Sequence, residues 1–216
     1  MIRIPNEVIF LVMRVLKKVN PGDTYLENYL WHYNKRKETF FDIYHFAWAW
    51  VLEHHPKRIL EIGTRTGISI CQLLSAYMDY SGIEKIVCCD LFNDGFISPE
   101  LVKLNMRTLL IPEEVINKTQ FLVGDSRITV TPLIQTEAGT YDYILVDGSH
   151  IEADAIVDLE NSHLLVKSGG VIVFDDITED GMNLLGVWNT FKNKYPNEYE
   201  YHEDMNGKGV GWAIKK

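Results

Sequence analysis

The feature that most constrains the fold is an alternation of short β-rich runs with helical stretches, which begins at Arg58. Each junction carries Gly, Asp or Ser, as is typical of β-α-β units around a parallel sheet. The predicted strands are Arg58–Ile62, Lys85–Asp90, Gln120–Val123, Tyr143–Val146, Val171–Phe174, Tyr199–Glu203 and Val210–Ile214. The predicted helices are Ser69–Tyr80, Pro99–Leu109, Arg127–Gln135, Glu152–Leu165 and Met182–Lys194. The fold class is therefore α/β, a doubly wound, Rossmann-like sheet of seven strands that closes with an antiparallel hairpin through Asn206–Gly209.

A length of 216 residues suits one domain with a small appendage. Residues 58–216 form the predicted ligand-binding domain, and residues 1–57 form a helical extension rich in aromatic residues. The extension holds ten of the chain's 25 aromatic residues within a short stretch: Tyr25, Tyr29, Trp31, Tyr33, Phe40, Phe41, Tyr44, Phe46, Trp48 and Trp50. They indicate either helices that pack on the sheet or a lid over an organic substrate. Within this stretch, Asn34–Glu38 is predicted to form a solvated turn.

Composition disfavours several classes of partner. The net charge of −9 argues against nucleic acid, whose affinity for proteins comes mainly from clustered Lys and Arg. The longest apolar runs, Val8–Met13 and Phe46–Leu52, are far shorter than the ~20 residues of a membrane helix. The first run is also too short for a secretory signal. The three cysteines lie inside apolar patterns, which favours buried thiols and a cytoplasmic location: Cys71, Cys88 and Cys89.

The most informative loop follows the first predicted strand, within Ile59–Ser69. A strand that runs into a glycine-bearing turn and a helix lets the backbone approach a ligand and points N–H groups toward an anion. This construction is typical of nucleotide-cofactor loops. The Gly-x-Gly-x-x-Gly fingerprint of dinucleotide sites is not met, because Arg65 and Ile68 stand where it needs glycines after Gly63. A nicotinamide cofactor is therefore disfavoured.

The run Glu61-Ile62-Gly63-Thr64-Arg65-Thr66-Gly67 resembles the first motif of the class I S-adenosylmethionine-dependent methyltransferases, an acidic residue followed by Gly-x-x-x-Gly. The resemblance implies that residues 58–216 are an S-adenosylmethionine-binding methyltransferase domain. It also implies that the loop holds the methionine part of the cofactor. The loop residues assigned to the cofactor in this way are Glu61, Gly63, Thr64, Gly67 and Ser69.

Acidic residues also end the next two predicted strands. Asp90 closes the second, where a carboxylate can accept two hydrogen bonds from a ribose diol, and Leu91 after it belongs to the same predicted site. The third strand is followed by Gly124-Asp125-Ser126, which resembles the family's adenine-contacting motif. Asp125 and Ser126 also suit the N-cap of the following helix, and the two roles are compatible.

Carboxylates and a histidine follow the fourth and fifth predicted strands. The fourth leads into Asp147-Gly148-Ser149-His150 and the fifth into Asp175-Asp176. Since ligands collect at the carboxyl ends of strands in doubly wound sheets, these side chains are expected to meet. Converging carboxylates repel one another in a partly buried cleft, and Mg²⁺, Mn²⁺ or Ca²⁺ would remove that repulsion. The sequence therefore predicts a divalent metal site.

From Arg58 to Asp176 the chain resembles a methyltransferase branch that includes metal-dependent O-methyltransferases acting on hydroxyls of sugars and antibiotics. The resemblance implies that Asp147, Asp175 and Asp176 bind the metal, and that Asp147 also borders the cofactor. It implies that His150 is the general base, a task suited to histidine, whose charge changes near neutral pH. Local roles stay open for His150 at a helix start and for the Asp175-Asp176 pair as helix caps.

Together these features predict an S-adenosylmethionine-dependent methyltransferase that methylates a hydroxyl group of a small molecule, with assistance from a divalent metal. Two alternatives stay open, an NAD(P)-dependent oxidoreductase of the same fold and a non-catalytic cofactor-binding module. Self-association through the N-terminal helices is a further expectation.

Overall fold

The computed structural model describes residues 2–23, 26–27, 30, 42–93 and 95–216. Its strands are β1 Arg58–Ile62, β2 Lys85–Asp90, β3 Thr119–Val123, β4 Tyr141–Val146, β5 Val166–Phe174, β6 Tyr199–Asp204 and β7 Val210–Lys215. Its longer helices are α1 Asn6–Val19, α2 Ile43–His54, α3 Ile68–Ser75, α4 Pro99–Thr108, α8 Glu152–Leu165 and α9 Leu185–Lys194. Three single-turn helices are α5 Glu113–Ile116, α6 Ser126–Thr129 and α7 Ile134–Glu137.

The strands form one seven-stranded sheet in the order β3-β2-β1-β4-β5-β7-β6. Strands β1 to β5 pair in parallel, and β7 pairs antiparallel with both β5 and β6. The predicted doubly wound sheet with its C-terminal hairpin is confirmed. The strand order reverses between β1 and β4, so the cleft for a ligand lies at their carboxyl ends. Phe174 pairs with Gly211, which places the β6–β7 turn at this same edge.

Two apolar layers bury the sheet on its two faces. Successive residues of a strand point to opposite faces, so Ile59 packs in the layer with α1, α2 and α3, whereas Leu60 packs with α8 and α9. Cys88 and Cys89 divide in the same way, and both are fully buried. Burial on both faces explains why β1 and β2 read as nearly continuous apolar runs.

The described part of the N-terminal extension packs on the sheet. The ring centroid of Phe46 in α2 lies 5.2 Å from that of Trp212 in β7 and 6.4 Å from that of Tyr143 in β4. Trp50 stacks on Phe46 at 5.6 Å. Of the other aromatic residues in the extension, Tyr25, Tyr29, Trp31, Tyr33, Phe40 and Phe41 lie outside the described residues, as does the turn predicted at Asn34–Glu38. Within the described ranges, no helix has the length and apolar character needed to cross a bilayer.

Several predicted boundaries were wrong. The helix predicted at Arg127–Gln135 is instead α6, a 3₁₀ turn at Thr131–Leu133 and α7, because Pro132 has no N–H to continue an α-helix. Helix α3 ends at Ser75 and not at Tyr80 as predicted. The next two N–H groups donate to the carbonyls three residues earlier, which tightens the last turn into a 3₁₀ geometry. Helix α9 begins three residues later than predicted, and β5 begins at Val166, before an irregularity in its pairing with β4.

Candidate active site

The loop between β1 and α3 is held tightly against β2 and β4. Gly63 has a φ of +91°, and a Cβ at this position would overlap the carbonyl oxygen of Asp147. Its N–H donates to the carbonyl of Cys89 at 2.9 Å. Only glycine fits this position, because a side chain would need both a rare backbone conformation and space that β4 occupies.

Asp90 organises the same loop from the end of β2. Its Oδ2 accepts from the N–H of Arg65 at 2.8 Å, and its Oδ1 accepts from the N–H of Phe92 at 3.0 Å. Arg65 and Phe92 both adopt left-handed φ values, 51° and 47°, which these hydrogen bonds help to hold. Each carboxylate oxygen keeps a second lone pair, so Asp90 can still accept from a diol.

The turn after β3 is built around Asp125. This residue caps α6 by accepting from the N–H of Arg127 at 2.9 Å, which is the capping role left open above. The Arg127 guanidinium also pairs with both Asp125 and Asp154. These hydrogen bonds lower the pKa of Asp125, so its carboxylate is ionised at neutral pH.

Two residues of the glycine motif lie behind the loop instead of facing the cleft. Glu61 is 2% exposed, and its Oε1 accepts from the hydroxyl of Ser69. Burial raises the pKa of Glu61 to about 8, and the hydrogen bond from Ser69 opposes that rise. Gly67 has a φ of +79° and lies against Val102, so it allows α3 and α4 to pack closely. The sequence motif locates both residues on the loop but does not tell which side they face.

Three of the predicted residues converge where β4 and β5 end. Asp147, His150 and Asp176 each offer one ligand atom, and these atoms lie within 4.8 Å of one another. The Nε2 of His150 lies 3.2 Å from the Oδ2 of Asp176, a hydrogen-bonding distance that fixes the direction of the imidazole. Asp175, the neighbour of Asp176 in the chain, is not among these three converging residues. We use the name acid cluster for the three residues together with Asp175.

Lys208, which sequence analysis did not single out, completes the acid cluster with a positive charge. Its Nζ lies 2.6 Å from the Oδ1 of Asp176 and 3.3 Å from the Oδ2 of Asp175. The sequence feature that could have indicated this role is a lysine between two glycines in the hairpin turn, Gly207-Lys208-Gly209. Sequence alone does not say that this turn reaches the carboxyl ends of β4 and β5.

Burial and neighbouring charges shift the pKa values of the three aspartates in different directions. Burial, followed by the charge of Asp175, raises the pKa of Asp147 well above its usual range. Burial raises the pKa of Asp175 to about 7, although the nearby Lys208 opposes the rise. Burial would also raise the pKa of Asp176, but His150 and Lys208 together outweigh it and the pKa is lowered. Asp176 is therefore the carboxylate of the cluster that stays ionised most readily.

One cavity of about 580 Å³ connects the loop, the strand ends and the acid cluster, a volume typical of small-molecule sites. The predicted residues that line it are Gly63, Thr64, Ser69, Asp90, Leu91, Gly124, Asp125, Ser126, Asp147, His150 and Asp176. Glu61, Gly67 and Asp175 do not line it. Lining residues that were not predicted to belong to the site include Ser149, Asp154, Met182 and Lys208, and Tyr44 of the aromatic extension lines the cavity too. Tyr44 comes from α2, so the aromatic extension supplies part of the wall.

The acid cluster has the donor types of a divalent-metal site, but a lysine ammonium already lies against one of the donors. Carboxylate oxygens and a histidine nitrogen are suitable ligands. A cation bound to Asp176 would, however, lie against the ammonium group of Lys208, which already contacts that carboxylate. A divalent ion at this group would therefore have to compete with Lys208 for Asp176. Binding of Mg²⁺, Mn²⁺ or Ca²⁺ stays a prediction.

A glycine loop after β1, an acid at the end of β2 and a cavity at the carboxyl edge are combined here with the strand order β3-β2-β1-β4-β5-β7-β6 and an antiparallel β7, which is the architecture of class I methyltransferases. A family model described as a methyltransferase domain matches residues 60–177, more than half of the chain. The protein belongs to this family of methyltransferases. No curated protein sequence matches the chain.

Solved structures share the fold at low sequence identity. An O-methyltransferase from Bacillus cereus in complex with S-adenosylhomocysteine has a TM-score of 0.64 and 14% identity, covering 97% of this chain and 91% of that one. TomG of Streptomyces achromogenes, an O-methyltransferase of tomaymycin synthesis in complex with S-adenosylmethionine, has a TM-score of 0.63 and 18% identity, covering 79% and 78%. The Podospora anserina methyltransferase PaMTH1, bound to S-adenosylhomocysteine, has a TM-score of 0.54 and 16% identity, covering 90% and 96%.

Proposed function

We propose that this methyltransferase transfers a methyl group from S-adenosylmethionine to a hydroxyl group of a small molecule, with His150 as general base. The observation that carries the proposal is a single cavity lined by the glycine loop, by Asp90 and by His150. The residues suited to a nucleoside cofactor and the residue suited to remove a proton therefore face the same cleft.

We assign the cofactor to the part of the cavity formed by β1, β2 and β3. Gly63, Thr64 and Ser69 border the methionine end, where the start of α3 directs N–H groups toward a carboxylate. Asp90 accepts from the ribose, beside the half-exposed side chain of Leu91. The turn Gly124-Asp125-Ser126 borders the adenine, and its ionised acid suits an exocyclic amine.

The reaction needs a nucleophilic oxygen. S-adenosylmethionine, when bound, supplies an electrophilic methyl group, so that a C–O bond forms as the C–S bond breaks and its electron pair returns to sulfur. A neutral hydroxyl is a poor nucleophile until it loses its proton. His150 accepts that proton at an imidazole nitrogen, and Asp176 orients the ring and stabilises the imidazolium at 3.2 Å. Positioning of the acceptor within the cavity supplies much of the remaining rate.

Three considerations support hydroxyl methylation of a small molecule. The Bacillus cereus and Streptomyces achromogenes proteins are described as O-methyltransferases. The apolar lining residues, together with the aromatic ring of Tyr44, suit an organic acceptor. The net charge of −9 disfavours nucleic acid as the acceptor.

A nicotinamide cofactor is a weaker candidate. A dinucleotide needs loop N–H groups directed at its pyrophosphate. In this loop the N–H of Arg65 is already bound to Asp90 at 2.8 Å, and the N–H of Gly63 is bound to Cys89 at 2.9 Å. We also place the reaction in the cytoplasm, since the buried Cys71, Cys88 and Cys89 are all free thiols. Self-association through the N-terminal helices stays a prediction.

Calorimetry tests the cofactor directly. We expect the protein to bind S-adenosylhomocysteine with micromolar affinity and to show no heat with NADH under the same conditions. Absence of binding to both S-adenosylmethionine and S-adenosylhomocysteine would reject the proposal.

Turnover of hydroxylated acceptors, followed by release of S-adenosylhomocysteine, tests the base. His150→Ala should keep its affinity for S-adenosylhomocysteine and lose at least about a hundredfold in kcat, the usual contribution of general base catalysis. His202→Ala is the matched control, because His202 stacks on Trp212 away from the cavity lining. Equal turnover by the His150 variant and the wild type would remove His150 from the mechanism.

A further inference from the structure

A lysine ammonium stands in the acid cluster, where the sequence predicts a divalent metal. Lys208 lies 2.6 Å from Asp176 and 3.3 Å from Asp175, two carboxylates that are 3% and 2% exposed. Its own side chain is 28% exposed, so the lysine is partly buried. A charge-assisted contact at these distances is strong in a partly buried site.

The backbone fixes Lys208 in this position. The N–H of Thr178 donates to the carbonyl of Lys208 at 2.9 Å, and the N–H of Ile177 donates to the carbonyl of Gly209 at 3.3 Å. The hydroxyl of Thr178 donates to the carbonyl of Gly207 at 2.6 Å. The hairpin turn is thus bound to the two residues that directly follow Asp175-Asp176. The lysine and the carboxylates are held by one connected piece of backbone.

Close packing adds to this constraint. Gly209 has a φ of +77°, and a Cβ there would overlap the side chain of Thr178. Gly181 lies so close to the carbonyl oxygen of Lys208 that a Cβ would stand 2.7 Å from it. The glycines on both sides of the contact allow the turn to approach the end of β5. Such an approach is a property of the fold and does not depend on one flexible side chain.

We propose that Lys208 is the resident cation of the acid cluster and takes the place of a divalent metal ion there. Its ammonium group balances the negative charge of Asp175 and Asp176, which is the electrostatic task that a metal would otherwise perform. A divalent cation that entered the cluster would meet a fixed positive charge beside its ligands. Removal of that charge should turn the cluster into a metal site.

Manganese binding, followed by the loss of the EPR signal of free Mn²⁺, tests the proposal without a turnover assay. The wild type, stripped with EDTA, should bind Mn²⁺ at least about tenfold more weakly than Lys208→Met, a side chain of similar length without charge. Lys208→Gln is a second neutral variant, and Lys208→Arg, which keeps the charge, should behave like the wild type. Binding gained by Lys208→Met should disappear when Asp176→Asn is added, which locates the ion at the cluster.

Lys194→Met is the matched control, because Lys194 pairs with Glu160 on another face. Each variant is first compared with the wild type in thermal unfolding. Equal Mn²⁺ affinity of the wild type and the neutral variants would overturn the proposal, as would a lack of binding by all of them. If Lys208 replaces the metal, turnover should survive treatment with EDTA, and this expectation rests on the proposed function.

The Mn²⁺-binding result does not depend on the proposed function. Binding of S-adenosylhomocysteine by the same samples tests the proposed function separately.

Discussion

Gly63 and Asp147 lie in such close contact that a Cβ on the glycine would overlap the carbonyl oxygen of the aspartate. The N–H of Asp147 in turn donates to the carbonyl of Ile62 at 2.9 Å, so the ends of β1 and β4 are joined at this point. The glycine loop and the acid cluster therefore share one piece of backbone. A substitution in the glycine loop is therefore expected to change the geometry of the acid cluster as well.

Gly63→Ala should consequently impair the site as well as the fold. The methyl group would force β1 and β4 apart, and the φ of +91° adds strain of about 1–3 kcal/mol. We expect a lower unfolding temperature and at least about a tenfold loss in affinity for S-adenosylhomocysteine, measured by calorimetry. Gly82→Ala is the control, since nothing lies within 4 Å of a Cβ there. Unchanged affinity in the Gly63 variant would show that the loop is not the cofactor site.

Asp90→Ala tests whether the Asp90 carboxylate both holds the loop backbone and accepts hydrogen bonds from the ribose of the cofactor. The variant loses the acceptors for Arg65 and Phe92, whose left-handed conformations then lack support. We expect the affinity for S-adenosylhomocysteine to fall by more than the ~1.5–3 kcal/mol of one hydrogen bond to a charged group. Asp79→Ala, which removes an exposed carboxylate from a surface turn, should bind like the wild type. If both variants bind alike, Asp90 has no role in the cofactor site.

The sequence identified features that depend on local pattern. The bounds of β1, β2 and α8 were predicted residue for residue, because the apolar pattern within each element is clear, and Gly63 and Asp90 mark the carboxyl ends of the two strands. The burial of Cys71, Cys88 and Cys89, predicted from their apolar surroundings, is also confirmed. The helix predicted across Pro132 does not form, because this residue lacks the N–H that a continuous α-helix needs.

Features that depend on distant pairing were missed. Lys208 reaches Asp176, which is 32 positions earlier, only because β7 pairs antiparallel with β5 and returns the hairpin turn to the carboxyl edge. Periodicity carries no information on that register. Similarly, the glycine motif placed Glu61 near the cofactor, but its side chain turns beneath the loop toward Ser69. Motif spacing fixes a position along the chain, whereas side-chain direction comes from the packing around it.

Glu61 should make stability depend on pH in an unusual direction. Its pKa is raised by burial from 4.5 to about 8, so between these values the folded protein binds more protons than the unfolded chain. The free energy of unfolding contributed by this group is then highest below pH 4.5 and falls as pH rises to about 8, by at most about 1.4 kcal/mol per pH unit. Glu61→Gln cannot ionise, so this component of the slope should vanish in urea unfolding measured from pH 5 to pH 9. The exposed Glu84 provides the control Glu84→Gln, which should keep the wild-type slope. A slope in Glu61→Gln identical to that of the wild type would mean that Glu61 is ionised in the folded protein at neutral pH.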